Sequence, residues 1–594
     1  MVRLICLPWP QVKPLAFLNR SRFRFRRLFP AAFAAIAFLV LLGGTLHAPN
    51  NFDALVYRLP RLLHWLMSDG WEWIPTNKNN LNTRSTGFEW WMAPLLAILR
   101  SDRALFLLNW ISFLFMPGLV FNVFRQMGVS NGVSAVWMWI FPAGYCYSLQ
   151  AGGIGNDMVV AVFALAAFDY GFRWKASAAP IAMWLSLVCC ALMTAMKPTT
   201  LPLLLPYGVL FFAMWRPLIG QPFRTITLAG LLVWTSFLPT SVINHRKCGD
   251  WTGAAAEDQK LGQVEPLIGI STNMINATIQ NLAPPVLPVA GAWNKMIDDV
   301  IPASVLERTR RSFEPAGARF ALNDFQNEES LGIGTGLSLL VILSLVCAWV
   351  CRGKHRQAIA NYGSRYECAL LCGLFGAALL AYFSKAGMST VARHIAPFYP
   401  FFFAVALRSP LQKSVLKLRL WKWTASLAMG STIFLLVITP SRPLWPARWF
   451  FSKGVESDSR IFQRAKNGYD VYANRADGLG PLRHAIPADT RDVAYLSYST
   501  SAELPLWKPY MLRKLYHVVA SDTINSLRGR GIKYLVLNTG GFEKQRGVTP
   551  ERWIDHEGAK LIFRTKLQLL ASELPSEWWV VSLFPERTPD HTAR

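Results

Sequence analysis

A chain of 594 residues that is 52% hydrophobic and only 16% charged is not a soluble globular protein, in which about a quarter of the residues carry charge. Its apolar residues gather in runs that approach the roughly 20 needed to cross a bilayer, so the chain reads as an α-helical polytopic membrane protein. The net charge of +26 comes from clusters between those runs, as expected of cytoplasmic loops, and not from a nucleic-acid-binding face.

The basic cytoplasmic N-terminus, residues 1–29, carries Arg20, Arg22, Arg24, Arg26 and Arg27. A first span near 30–47 follows, without the small-residue cleavage site of a signal peptide, and reads as a retained anchor. Further spans are predicted at about 103–124, 132–150, 157–172, 179–195, 200–215, 225–243, 331–351, 366–383, 393–407 and 423–440. On this count the cations at Arg125, Arg173 with Lys175, Arg216 with Arg224, Arg352 to Arg356 and Arg408 to Lys422 all fall inside. The result is about eleven spans within residues 30–440, with a first outer loop at 48–102 and a long outer loop at 244–329. The segment Phe88–Leu99 is too short to cross and reads as interfacial or re-entrant. Residues 441–594 read as a small extracytoplasmic α/β domain, with strands at 493–498, 532–538 and 578–584 and a helix near 521–528.

The first outer loop opens on D-A-L-V-Y-R-L-P-R-L-L-H-W-L-M, residues 53–67. On a regular helix Leu55, Val56, Leu59, Leu62, Leu63, Leu66 and Met67 share one face, and Asp53, Tyr57, Arg61 and His64 the other, flanked by Arg58. The pattern predicts a helix on the membrane surface, broken in two by Pro60. Asp53 suits a general base, or simply the N-cap of its helix. Arg58 and Arg61 suit a phosphate, and His64 a proton carrier or a phosphate donor.

Three further constellations fall at outer span ends. Gly152-Gly153-Ile154-Gly155-Asn156-Asp157 supplies a second carboxylate, Asp157, on the same membrane side as Asp53, to orient an acceptor or bind a divalent metal. The metal is not required by the sequence. Lys197, in Lys197-Pro198-Thr199-Thr200, interrupts two apolar runs, and such a charge is costly away from the interface. Arg393-His394, with Lys385 upstream, opens another run, where Arg393 can clamp a phosphate. Walker, H-E-x-x-H and G-x-S-x-G patterns do not occur.

In the order and common side of these segments the chain resembles the GT-C superfamily of integral membrane glycosyltransferases. It most resembles the bacterial branch related to protein mannosyltransferases and to the aminoarabinose transferase of lipid A. The residues carrying the resemblance are N-F-D-A-L-V-Y-R-L-P-R-L-L-H-W at 51–65, N-D at 156–157, K-P at 197–198 and A-R-H-I-A-P-F-Y-P at 392–400. The resemblance implies a bacterial inner-membrane enzyme that transfers a sugar, usually with inversion, from a polyprenyl-phosphate donor on the extracytoplasmic face. It implies Asp53 as the first-loop catalytic carboxylate, Asp157 as the second-loop acid, and Arg393 with Lys197 as phosphate contacts. Asn156 stands where a D-x-D pair would have its first acid, which leaves metal dependence open. The implied partners are the lipid-linked donor, membrane lipids and an acceptor that is a protein, a lipid or a glycan, and no nucleic acid. The rival readings are a secondary transporter, which predicts repeats and midplane charges, and a ligase acting on a polyprenyl-diphosphate glycan.

Overall fold

The computed structural model describes residues 27–68, 70–257, 262–313, 317–350, 365–453, 459–497, 501–569 and 574–584. The basic residues before Arg27 and the Arg352 to Arg356 cluster lie outside these segments. Among the described residues four helices are long and apolar enough to cross a membrane on their own: Leu28–Leu46, Leu107–Gln126, Pro198–Ile219 and Arg419–Ile438. A bent pair, Pro222–Trp234 and Leu238–Cys248, makes a fifth if counted as one span. Shorter apolar helices at Gly87–Leu99, Pro180–Met196, Thr335–Val350 and Ala369–Phe383 join them, as does Asp157–Ser177. Phe38, Phe115, Phe212 and Leu427 stand exposed on the outer sides of these helices, where lipid and not water is the compatible solvent. The chain is an integral membrane protein. The run predicted as one span at 132–150 is broken into Asn131–Ile140, a single turn at Phe141–Ala143, and Tyr145–Ala151, because Pro142 cannot donate into a continuous ladder.

The expected loop 244–329 is not structureless. It contains helices Pro266–Asn281, Ala290–Val300 and Ala303–Ser312. The first begins with Pro at its first position, where the missing amide costs nothing.

After the last long helix comes a mixed five-stranded sheet. Its strands are β1 (Asp492–Leu496), β2 (Lys514–His517), β3 (Tyr534–Asn538), β4 (Lys560–Leu567) and β5 (Ser576–Ser582), in the order β2-β1-β3-β5-β4. β1 is parallel to β2 and β3, and β5 is antiparallel to β3 and β4. Three of these strands were expected. β2 is four residues with only two apolar side chains, and β4 carries Lys560, Arg564 and Lys566, so neither shows a sustained apolar run. The two-residue alternation of a strand divides the sheet into two apolar faces. Ala494, Leu496, Leu535, Leu537 and Val581 pack under the domain's own helices. Val493, Tyr495, Val536, Trp578 and Val580 join the large core that continues into the membrane region. The domain is therefore docked by one sheet face, not tethered.

Arg442, just beyond Arg419–Ile438, forks onto Glu328 through Nη1–Oε1 at 3.1 Å and Nη2–Oε2 at 2.8 Å, with both side chains buried. This pair fixes the exit of the last span against the long loop. Arg442→Met leaves the Glu328 carboxylate buried and uncompensated. The expected loss is about 3–5 kcal/mol, read as a lower melting temperature of the detergent-solubilised protein; unchanged melting would make the pair energetically neutral.

Candidate active site

The segment after Leu28–Leu46 does not lie on a membrane surface. Ala54 through His64 are buried on every side, covered by Gly87–Leu99, by β2 and by the turn Leu504–Trp507. Pro60 does not break it either. Residues Ala54–Arg58 form a π turn, in which the Leu59 amide donates to the Ala54 carbonyl, and Leu59–Met67 continues as α-helix. Pro60 has no amide to offer the Val56 carbonyl, and Lys78 Nζ donates to it instead at 3.1 Å.

The π turn alters which residues share a face. Each residue in it advances by less than the 100° of an α-helix, so positions beyond Arg58 are rotated relative to Asp53. Asp53, Tyr57 and Arg58 line a cavity of about 610 Å³; Arg61 and His64 do not. Arg61 is fully buried, donating to the carbonyls of Arg84 and Ser85 and to the Glu89 carboxylate. His64 packs edge-on against Trp507, with ring centroids 4.6 Å apart. The expectation of Arg61 and His64 as phosphate-binding residues is thereby corrected: one is a structural cation, and the other faces the C-terminal domain.

The opposite wall comes from three distant segments. Lys197 sits at the junction of Pro180–Met196 and the turn Pro198–Leu203. Arg393 lies in the short helix Val391–His394. The approach to that turn is held by amides of Pro266–Asn281: Asn276 Nδ2 and Gln280 Nε2 donate to the Ser389 carbonyl at 2.6 and 2.7 Å, and Gln280 Oε1 accepts from the Ala392 amide at 2.9 Å. Asp157 begins helix Asp157–Ser177. The glycine loop before it is drawn tight by Asn109 Nδ2, which donates to the Gly153 and Gly155 carbonyls at 2.8 and 2.7 Å. A Cβ on Gly153 would collide with the Glu328 carboxylate.

The charges form a chain. Asp157 accepts from Gln150 Nε2 at 2.6 Å, pairs with Lys197, and lies 3.4 Å from Arg393 Nε. Arg393 Nη2 lies 3.6 Å from Asp53 Oδ2. These last two are contacts of charge at the edge of hydrogen-bonding range, which leaves the guanidinium able to take another acceptor. Asp157 is almost fully buried and stands behind the cavity wall, where it positions two cations. The role expected of it as acceptor-orienting or metal-binding acid is not what this geometry offers.

Arg84, Lys385 and Glu329 complete the lining. Lys385 was noted in the sequence only as a neighbour of Arg393. Arg84 pairs with Glu257 at 3.0 Å, and Glu329 with Arg475 at 2.9 Å. Arg84 and Glu329 were missed because each comes from a polar stretch without periodicity. Around the cavity Arg58, Arg61, Arg84, Lys197, Lys385, Arg393 and Arg475 face Asp53, Glu89, Asp157, Glu257 and Glu329. A surplus of two positive charges remains. Such a site suits an anion with two formal charges, and the committed carboxylates make it a poor seat for a divalent cation. Burial pushes the Asp53 carboxyl up, but the fields of Arg393, Arg58, Arg84 and Lys197 outweigh burial and hold it below its ordinary value. Asp53 is thus ionised, with its side chain 20% exposed to the cavity. Burial raises the Tyr57 hydroxyl to about 12, so it remains a donor.

No family model and no curated protein matches this sequence. Among solved structures the chain is similar to ArnT from Cupriavidus metallidurans. The apo form is 10% identical, with 93% of this chain and 97% of that one covered at a TM-score of 0.48. The form bound to undecaprenyl phosphate is 11% identical, with 93% and 98% covered and a TM-score of 0.47. It is also similar to the Archaeoglobus fulgidus oligosaccharyltransferase crystallised with Zn and sulfate, at 11% identity, 86% and 69% coverage and a TM-score of 0.39.

If the cavity is an anion site, cations inside and outside it behave differently on substitution. Arg84→Gln and Lys385→Gln should each weaken binding of a polyprenyl phosphate by about tenfold, the loss of one charge-assisted contact of about 1.5–3 kcal/mol. Arg61→Gln should leave affinity per folded molecule unchanged and lower the melting temperature. Equal affinity loss in all three would show that the effect is on folding.

Proposed function

We propose that this protein is a membrane glycosyltransferase that moves a sugar from a polyprenyl-phosphate donor to an acceptor on the extracytoplasmic face, with Asp53 as general base. The observation that carries the reading is the convergence of one ionised carboxylate and a surplus of fixed cations on a single cavity beside the spans. A donor anchored by a polyprenyl chain cannot leave the bilayer, so its phosphate must be met at the edge of the membrane.

The acceptor oxygen or nitrogen attacks the anomeric carbon as the bond from that carbon to the phosphate oxygen breaks. The bonding electron pair leaves on polyprenyl phosphate, and the acceptor proton passes to Asp53. Arg393, Lys197, Arg58 and Arg84 stabilise the charge that grows on the leaving phosphate, preorganised by their own carboxylate partners. A carboxylate of lowered basicity suits a transition state in which the sugar develops oxocarbenium character before the acceptor loses its proton. A single displacement of this kind inverts the anomeric centre and needs no protein nucleophile.

Asp53→Asn should lower transfer by about 10²–10⁴-fold, with donor binding kept within a few-fold. The measurement is label appearing on membrane acceptors from radiolabelled polyprenyl-phosphate sugars. Undiminished transfer in the variant would remove Asp53 from the chemistry, and no transfer from any donor in the wild type would favour transport. Because the Asp53 carboxyl is held below its ordinary value, it stays charged as pH falls through the normal carboxylate range. The wild-type rate should therefore show no acid limb from this group between about pH 7 and pH 4. An acid limb centred above about pH 5 and lost in the Asn variant would contradict the assigned field.

A further inference from the structure

Where the first outer loop meets the C-terminal domain, about three helical turns from Asp53, three side chains converge that catalysis does not use. His64 comes from helix Leu59–Met67, His517 ends β2, and Glu503 precedes the turn Leu504–Trp507. One ligand atom from each lies within 4.8 Å of the other two. His517 Nε2 is 3.1 Å from Glu503 Oε1, the separation expected between neighbouring ligands in a tetrahedral shell with metal distances of about 2.0–2.2 Å. His64 Nε2 is buried and has no hydrogen-bond partner among the described residues. An orphaned imidazole nitrogen in a protein interior calls for an explanation.

We propose that His64, Glu503 and His517 form a divalent-metal site, with zinc the favoured ion, that staples the first outer loop to the C-terminal domain. Two imidazoles and one carboxylate are a borderline-soft donor set that zinc accepts and that magnesium and calcium do not. The surroundings hold each ligand as a metal site requires. Lys78 Nζ donates to Glu503 Oε2 at 2.6 Å, with its other hydrogens committed to the Val56 and Ser501 carbonyls. Glu503 therefore presents Oε1 toward the cluster, where Trp507 Nε1 also approaches it at 3.4 Å. Thr76 Oγ1 lies 2.8 Å from His517 Nδ1, so an Nδ1–H donated to the threonine leaves Nε2 with its lone pair toward the cluster, the outer-shell arrangement that orients ligating histidines.

The three ligands are 6%, 0% and 8% exposed. A substrate cannot reach the ion, so its role is structural. His64 lies in the helix that continues directly from the π turn holding Arg58. The metal would thus hold the catalytic helix in register from its far end.

Protein purified in detergent from zinc-supplemented culture should contain about one zinc per chain, by inductively coupled plasma mass spectrometry. His64→Gln and His517→Gln should reduce this about tenfold or more, while Asp53→Asn keeps it, which separates this site from the donor cavity. Cobalt(II) exchanged into the wild type should give the visible d–d bands of a tetrahedral ion, and zinc should raise the melting temperature of chelator-treated protein. If both Gln variants fail to fold, the cobalt spectrum of the wild type decides. Wild-type protein without stoichiometric zinc and without cobalt bands, or metal lost in Asp53→Asn and kept in both Gln variants, would overturn the proposal.

Discussion

Asp157 is the charge on which the cavity depends. It is buried at the head of its helix, and two cations from segments some 40 and 240 residues away turn toward it. Without it Lys197 and Arg393 would repel one another across a low-dielectric wall, and each would seek solvent. With it they are held side by side, and Arg393 still reaches Asp53. A carboxylate behind the wall thereby creates a positive surface in front of it. The arrangement leaves Arg393 under-satisfied: its partners lie at the limit of hydrogen bonding, so a better acceptor entering the cavity can displace nothing and still be bound.

The C-terminal domain belongs to this arrangement mechanically. One apolar face of its sheet is continuous with the core of the membrane region, and Glu503 reaches Lys78 in the segment between Leu28–Leu46 and Leu107–Gln126. Lys78 in turn holds the carbonyl that Pro60 leaves free. A single ammonium group so connects the C-terminal domain, the segment that follows Leu28–Leu46 and the backbone of the helix that begins at Asp53. The buried Lys78–Glu503 pair is costly to desolvate and tolerable only because three acceptors surround the ammonium.

The membrane class, the positions of most apolar helices and the convergence of Asp53, Arg58, Lys197 and Arg393 were legible in the sequence. Long apolar runs report directly on the solvent around them, and a charge interrupting such a run stands out. Helical arithmetic failed after Arg58 because it assumes one fixed rotation per residue, and the π turn violates that assumption. It also failed to see that both sides of residues 54–64 are covered, since amphipathicity shows which side prefers oil and not whether protein covers the other. Arg84 and Glu329 gave no signal, each being one polar residue among many in loops. β2 was hidden for a related reason: Leu515 and Tyr516 pack on opposite faces of the sheet between Lys514 and His517, so the strand shows no hydrophobic run.

The π turn at Ala54–Arg58 has a consequence for how sequences of this kind can drift. It is the equivalent of one inserted residue in an otherwise regular helix. Removing any one residue between Asp53 and Pro60 would restore α-helical winding and swing the Asp53 carboxylate by about 100° around the axis, away from Arg393. Substitutions within this stretch can be absorbed as long as its length is kept. Chain length between Asp53 and Pro60, more than the identity of the apolar residues there, is the quantity that alignment of distant relatives must preserve.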